Sequence, residues 1–136
     1  MKFLLIAASH RPDSYNRRLI QLAAQHFSAK NISVESPEYQ SLDLPPYNDC
    51  DREKGKIPAS AQAVRDKVAG SDGLVISMPE YNWSYPGSLK NIIDWLSHFR
   101  PQPFLGKTAY LMCATPSKRG GAVGLSHLKI PLEALG

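Results

Sequence analysis

Ser9, Arg11, Ser14 and Asn16 fall in one short stretch, SHRPDSYN at 9–16, between an apolar run and a helical pattern. Two hydroxyls, an amide and a guanidinium at the start of a helix are donors suited to an anion, which the free N–H groups and dipole of that helix also favour. A terminal phosphate would suit this set. A plain helix cap accounts for the same residues equally well, with Ser14 or Asp13 capping and Arg11 solvated. The stretch contains neither GxGxxG nor GxxxxGK[ST], so the dinucleotide fingerprint and the P-loop do not apply.

A second stretch, PEYNWSYPGSLKN at 79–91, places Tyr81, Trp83 and Tyr85 among Glu80, Asn82 and Ser84, with Pro79, Pro86 and Gly87 restricting or freeing the backbone. An aromatic ring system with polar edges would find both stacking surface and hydrogen bonds there. A rigid turn with surface aromatics, or a subunit interface, is the other reading. A third stretch, TPSKRGG at 115–121, offers Thr115 and Ser117 as donors and Gly120 and Gly121 for close backbone approach. Lys118 and Arg119 would meet a second phosphate or lie solvated.

The elements that must position these loops follow from periodicity. KFLLIAA at 2–8 is a near-continuous apolar run, as expected of a strand buried on both faces. Residues 15–29 place Leu19, Ile20, Leu22, Ala23 and Phe27 at helical spacing. A short strand is expected over 31–35, a long surface loop over 37–57, and a helix over 59–69 with Pro58 near its start. A strand over 73–78, a helix over 86–99, a strand over 108–114 and a helix over 122–135, kinked or interrupted at Pro131, complete the chain. Strand–helix alternation implies a parallel sheet with helices on both faces. Ligands of such sheets bind beyond the carboxyl ends of the strands, where strand order reverses. All three polar loops leave strands at that end.

The 136 residues suffice for one domain, 1–136, and 43% hydrophobic with 21% charged residues is the composition of a soluble globular protein. No apolar run is long enough to span a membrane, and residues 1–8 lack the features of a secretory signal, so a cytoplasmic protein is expected. The +4 net charge is spread along the chain, which argues against nucleic acid and fits a mildly positive cleft for a phosphorylated ligand. Cys50 and Cys113 form no disulfide framework, the histidines have no metal-ligand spacing, and no metal site is expected. Cys113, within an apolar run, is expected to be buried and inert.

Taken together, a phosphate grip, a ring-sized aromatic loop and a glycine loop describe a site for flavin mononucleotide (FMN). The residues that carry these features resemble the NADPH-dependent FMN reductase family, the flavodoxin-like group of bacterial quinone and chromate reductases and related azoreductases. Ser9-x-Arg11-x-x-Ser14-x-Asn16 is similar to its phosphate loop. The segment from Pro79-Glu80-Tyr81-Asn82 through Ser84, Pro86-Gly87 and Leu89-Lys90-Asn91 to Asp94-Trp95 is similar to its signature. Gly106-Lys107 and Thr115–Gly121 are similar to its fourth strand and glycine loop.

The resemblance implies a flavodoxin-like doubly wound α/β fold of strand order 2-1-3-4-(5). It implies that Ser9, Arg11, Ser14 and Asn16 hold the FMN phosphate, with Tyr15 among the cofactor-binding residues. Pro79, Glu80, Tyr81 and Asn82 would flank the ribityl chain and isoalloxazine, and Thr115, Ser117 and Gly120 would complete the ring pocket. NADPH or NADH would be the donor in a ping-pong reaction with a small-molecule acceptor: a quinone, an azo compound, a metal oxyanion or free flavin. No side chain is required as acid, base or nucleophile, because the cofactor supplies the chemistry. Lys90, Asn91, Asp94 and Trp95 would be structural or interfacial, and a homodimer or homotetramer is implied. Two departures stand out. Ala8 replaces a glycine frequent in the family, and the fifth strand and last helix are not in the chain, which leaves strand four an exposed edge. A flavodoxin-type electron carrier and a truncated, non-catalytic member are the rival readings.

Overall fold

The computed structural model describes residues 1–136. Four strands form one parallel sheet, β1 (Lys2–Ala7), β2 (Ser33–Glu35), β3 (Gly73–Ser77) and β4 (Thr108–Met112), in the order β2-β1-β3-β4. The helices are α1 (Tyr15–Ala29), α2 (Asp49–Glu53), α3 (Ala59–Ala69), α4 (Gly87–Ser97) and α5 (Ala122–Leu135). The chain crosses from β2 to β3 past β1, so the switch in strand order lies between β1 and β3, where Leu5 pairs with Val75.

Alternation along β1 and β3 divides the sheet into two faces. Leu4, Ile6, Leu74 and Ile76 point into the main core with Ala61, Val64 and Val68 of α3, Leu89, Ile93 and Leu96 of α4, and Leu128 and Leu132 of α5. Leu5 and Val75 point the other way, to Ile20 of α1 and the half-buried Phe3 and Phe27. One face therefore carries three helices and the other carries α1 alone. β4 is the edge, with Thr108, Ala109 and Tyr110 exposed, as expected for a sheet of order 2-1-3-4. An apolar groove of about 330 Å³ runs between α1 and β4, past Leu22, Phe27, Tyr110 and Met112. No helix is long and apolar enough to cross a membrane.

Several sequence expectations are corrected. The 37–57 segment is not a featureless loop: it holds a 3₁₀ turn, Tyr39–Leu42, and α2. Tyr39 and Leu42 are buried in the main core, and Asn48 caps α2 by accepting from the Cys50 N–H at 2.9 Å, an Asx cap that a short polar segment hides from periodicity. The second strand starts at Ser33, not Asn31, because Asn31 takes φ 55° where the chain turns out of α1. Pro131 does not interrupt α5, whose buried Leu128 and Leu132 bracket it and hold the helix to the sheet. Cys113 is half-buried, and burial pushes its thiol pKa up, which keeps it protonated and weakly reactive. Ala8 is fully buried in the main core, so its methyl is accommodated.

Candidate functional site

All three polar loops emerge at the carboxyl end of the sheet, and one buried side chain ties them. Asn16, on the first turn of α1, accepts at Oδ1 from the Ser77 hydroxyl (2.8 Å) and from the Ala114 N–H (2.9 Å), and donates from Nδ2 to the Ala114 carbonyl (3.0 Å). Ser77 ends β3 and Ala114 follows β4. The amide thus locks α1 to two strand ends, with Oδ1 engaged twice and Nδ2 once within the chain. Ser77 was not among the expected site residues. Its signal was a hydroxyl at the end of the otherwise apolar GLVIS.

The first loop is arranged to donate. The Ser14 Oγ caps α1 by accepting from the Asn16 N–H at 3.2 Å, and the Ser9 Oγ accepts from the Arg11 N–H at 3.4 Å. Both hydroxyls act as acceptors within the chain, so both protons remain free to be donated outward. The Tyr15 and Arg17 N–H groups of the first helical turn make no hydrogen bond within the chain. The Arg11 guanidinium is exposed and donates to Asp13 through Nε (3.3 Å) and Nη2 (3.0 Å). That contact holds the Asp13 carboxyl below its usual range and raises the Arg11 pKa.

In the second loop, Tyr81 and Ser84 exchange two backbone hydrogen bonds, Tyr81 N–H to Ser84 O at 2.8 Å and Ser84 N–H to Tyr81 O at 3.0 Å. Between them Asn82 (φ 49°) and Trp83 (φ 68°) both lie in the left-handed region, as a type I′ turn requires. A tryptophan there costs about 1–2 kcal/mol relative to ordinary backbone. The turn leaves Tyr81 49% and Trp83 52% exposed, as no buried aromatic would be.

The third loop is built by hydroxyl turns and glycines. The Thr115 Oγ1 accepts from the Ser117 N–H at 3.2 Å, and the Ser117 Oγ accepts from the Arg119 N–H at 3.4 Å. Gly121 has φ 77°, and a Cβ there would stand 2.1 Å from the Cys113 Sγ, so both conformation and space demand glycine.

The carboxyl-end loops enclose a cleft of about 210 Å³. Of the expected residues, Ser9, Arg11, Ser14, Tyr15 and Asn16 line it from the first loop, Pro79, Glu80 and Tyr81 from the second, and Thr115 from the third. Asp13, Ala114 and Pro116 complete it. Asn82 and Ser117 line a separate, adjoining cleft with Glu80, Trp83, Lys118 and Arg119, and Gly120 lines neither.

The sequence profile of the NADPH-dependent FMN reductase family matches residues 1–136. The chain belongs to this family. It is 42% identical over 103 residues to a quinone reductase of Escherichia coli strain K12, covering 72% of this chain and 54% of that protein. It is 34% identical over 135 residues to an NAD(P)H-dependent FMN reductase of Pseudomonas aeruginosa, covering 99% of this chain and 71% of that protein. The solved structure of FerB, a flavoenzyme NAD(P)H:(acceptor) oxidoreductase from Paracoccus denitrificans, superposes with a TM-score of 0.85 at 31% identity, covering 99% of this chain and 72% of that one. The chain spans about half the length of the quinone reductases it matches.

In this FMN reductase family member the rest of the signature segment has visible work. Asn91 donates through Nδ2 to the Leu44 (3.1 Å) and Pro45 (3.0 Å) carbonyls and accepts from the Tyr47 N–H at 2.7 Å. The Trp95 Nε1 also donates to the Pro45 carbonyl, at 2.8 Å, and Lys90 pairs with Asp94 one turn along α4 at 2.6 Å. Asn91 and Trp95 clamp the long β2–α3 connection onto α4. They lie outside the cleft and are structural. Glu80 accepts at Oε2 from the Gly124 N–H at 2.7 Å, so its carboxylate serves the N-terminus of α5.

The donor set fits a phosphate monoester. Two hydroxyls with no acceptor in the chain and Arg11 line the cleft at the end of β1 together with Pro79 and Tyr81, and the adjoining first turn of α1 has two unpaired N–H groups. The residues present therefore suit the phosphate of FMN.

Proposed function

We propose that the chain forms the FMN-binding part of an NAD(P)H-dependent reductase of quinones and similar acceptors. The observation that carries the reading is the engagement of the Ser9 and Ser14 hydroxyls as acceptors only, beside two unpaired helix N–H groups. Such a set is organised for an anion before any arrives. Bound FMN would take up two electrons as hydride from NADPH or NADH and pass them on to the acceptor.

The residues then divide by task. Ser9, Ser14 and the first turn of α1 grip the phosphate, with Tyr15 at the mouth. Arg11 turns from Asp13 to add charge to that contact. Pro79 and the backbone at Glu80 and Tyr81 flank the ribityl chain, while the Tyr81 ring and Thr115 border the isoalloxazine. Asn82, Ser117 and Gly120 stand farther out, toward the entering donor. Asn16 orders the loops from beneath. No side chain is placed to act as acid or base. The half-exposed ring wall suits donor and acceptor binding in turn, the geometry of a ping-pong reaction, and admits quinones, azo compounds, metal oxyanions and free flavin as acceptors. A homodimer or homotetramer in the cytoplasm, acting without nucleic acid or membrane, is the accompanying expectation.

The test is direct. Purified chain is loaded with FMN, freed of excess, and its visible spectrum followed while NADPH is added without oxygen, then menadione. Retained flavin that bleaches and is restored by the quinone supports the reading. Retained flavin that NADPH does not bleach would make the chain an electron carrier, and a folded chain that retains none would overturn FMN binding. Tyr81→Ala is expected to lower turnover and relieve quenching of flavin fluorescence.

A further inference from the structure

The cleft next to the flavin site is the strongest feature left unused. It has a volume of about 570 Å³ and shares Glu80 as a common wall with the flavin cleft. The Cζ of Arg119 lies 4.0 Å from the centroid of the Trp83 ring. A guanidinium stacked on an indole keeps its in-plane N–H donors free for an oxyanion. Neither Arg119 nor Lys118 has a carboxylate partner within 4.0 Å. Glu80, the one acid in the lining, has its Oε2 engaged by the Gly124 N–H. Trp83 reaches its place only because the Tyr81–Ser84 turn holds it at φ 68°. Two unpaired cations, one of them oriented by a strained aromatic residue, make a receptor for a multiply charged oxyanion.

We propose that this cleft takes the 2′-phosphate of NADPH and so sets the choice between NADPH and NADH. The inference rests on the reductase reading above. Lys118 and Arg119 are the phosphate donors, and Trp83 is a positioning residue that holds the guanidinium flat. The location matches the chemistry: a dinucleotide whose nicotinamide reaches the flavin ring past Tyr81 must lay its adenosine end on a neighbouring surface, and this is the adjoining cleft. NADH carries no group that uses both cations.

The probe is adenosine 2′,5′-bisphosphate, with AMP as the control, titrated into the FMN-loaded chain while tryptophan emission is followed. Trp95 is buried, so ligand-dependent change reports Trp83. The bisphosphate is expected to act at a concentration at least about tenfold below AMP, the scale of one lost charge-assisted contact. The double variant Lys118→Ala/Arg119→Ala should bring the two ligands together and raise KM for NADPH relative to NADH by about tenfold, with kcat little moved. Arg119→Lys, which keeps charge but not the planar donors, should fall between. Trp83→Leu should raise KM for NADPH and leave kcat in place. Equal binding of the two adenosine ligands, an equal rise in both KM values, or a changed oligomeric state with nucleotide binding intact would overturn the proposal. If the chain holds no FMN, the reductase reading fails instead, and the bisphosphate titration still reports on the cleft.

Discussion

The Glu80 carboxylate caps a helix that begins more than 40 residues farther along the chain, its Oε2 accepting from the Gly124 N–H at 2.7 Å. The α5 N-terminus has no side-chain cap of its own, since Gly121 occupies that position. Gly124 is fitted to the arrangement: a Cβ there would lie 3.1 Å from the Met78 Cε and 3.2 Å from the Glu80 Cγ and the Ser84 carbonyl. The second and third loops are thereby joined at one hydrogen bond beside both clefts.

Glu80→Ala is expected to lower stability by about 1–2 kcal/mol, the scale of a lost helix cap. Glu80→Gln keeps an acceptor oxygen and should lose less. Urea unfolding followed by circular dichroism checks both. An alanine variant as stable as the parent would mean that water replaces the cap without cost.

Asn16→Ala should be more damaging. It leaves the buried Ser77 hydroxyl and the Ala114 N–H and carbonyl without partners, at about 1–3 kcal/mol for each group that water does not reach. Asn16→Asp keeps both acceptor contacts but sets a carboxylate against the Ala114 carbonyl and should also destabilise. The midpoint of denaturant unfolding measures this. A weakened FMN affinity with unchanged stability would instead make Asn16 a direct ligand.

Arg11 and Asp13 make opposing contributions to the same event. Both are exposed, so neither substitution should move stability appreciably. Arg11→Ala removes a charge-assisted contact and should weaken FMN binding by about 1.5–3 kcal/mol. Asp13→Ala releases the guanidinium, deletes a nearby negative charge and should tighten it. Quenching of flavin fluorescence gives both dissociation constants, and a looser Asp13→Ala complex would show that the pair orders the loop and does not compete with the phosphate.

Stability should fall at both ends of the pH range through two identifiable groups. Glu35 on β2 accepts from Lys2 of β1 at 2.6 Å and from Lys67 of α3 at 2.5 Å, and those hydrogen bonds hold its pKa below the ordinary 4.5. Its contribution is present above the unfolded value and is lost as pH falls through the lower folded one. Burial pushes the Tyr39 hydroxyl, paired with the Ser88 Oγ at 2.9 Å, up to about 12 from 10. Its contribution is full below pH 10 and disappears as pH rises toward 12. Glu35→Gln should flatten the acid limb of a stability–pH curve and Tyr39→Phe the alkaline limb. A variant curve parallel to the parent's would remove that group from the account.

Much of this protein is written in consecutive residues. KFLLIA and GLVIS are apolar on both faces because parallel strands are covered on both, and α1 repeats its apolar residues at helical spacing because one face meets the sheet. The Ser, Arg and Asn of SHRPDSYN and the PEYN stretch mark polar loops at strand ends, although Ser14 also serves as the cap of α1. What the sequence does not reveal is which partner each side chain takes. Asn16 reads as a phosphate donor until β4 arrives beside it and Ala114, 98 residues away, engages both ends of its amide. Glu80 lines the cleft, yet α5 presents Gly124 to its carboxylate, and the Trp83 turn lies beneath the Arg119 guanidinium, contacts that no local pattern announces. Periodicity is a property of neighbours along the chain, so the sequence alone determined the four strands, the long helices and the polar loops that follow the strands. Strand order and helix docking set distances between residues far apart in the chain, so only the tertiary structure decided which polar groups brace the site and which remain free to hold a ligand.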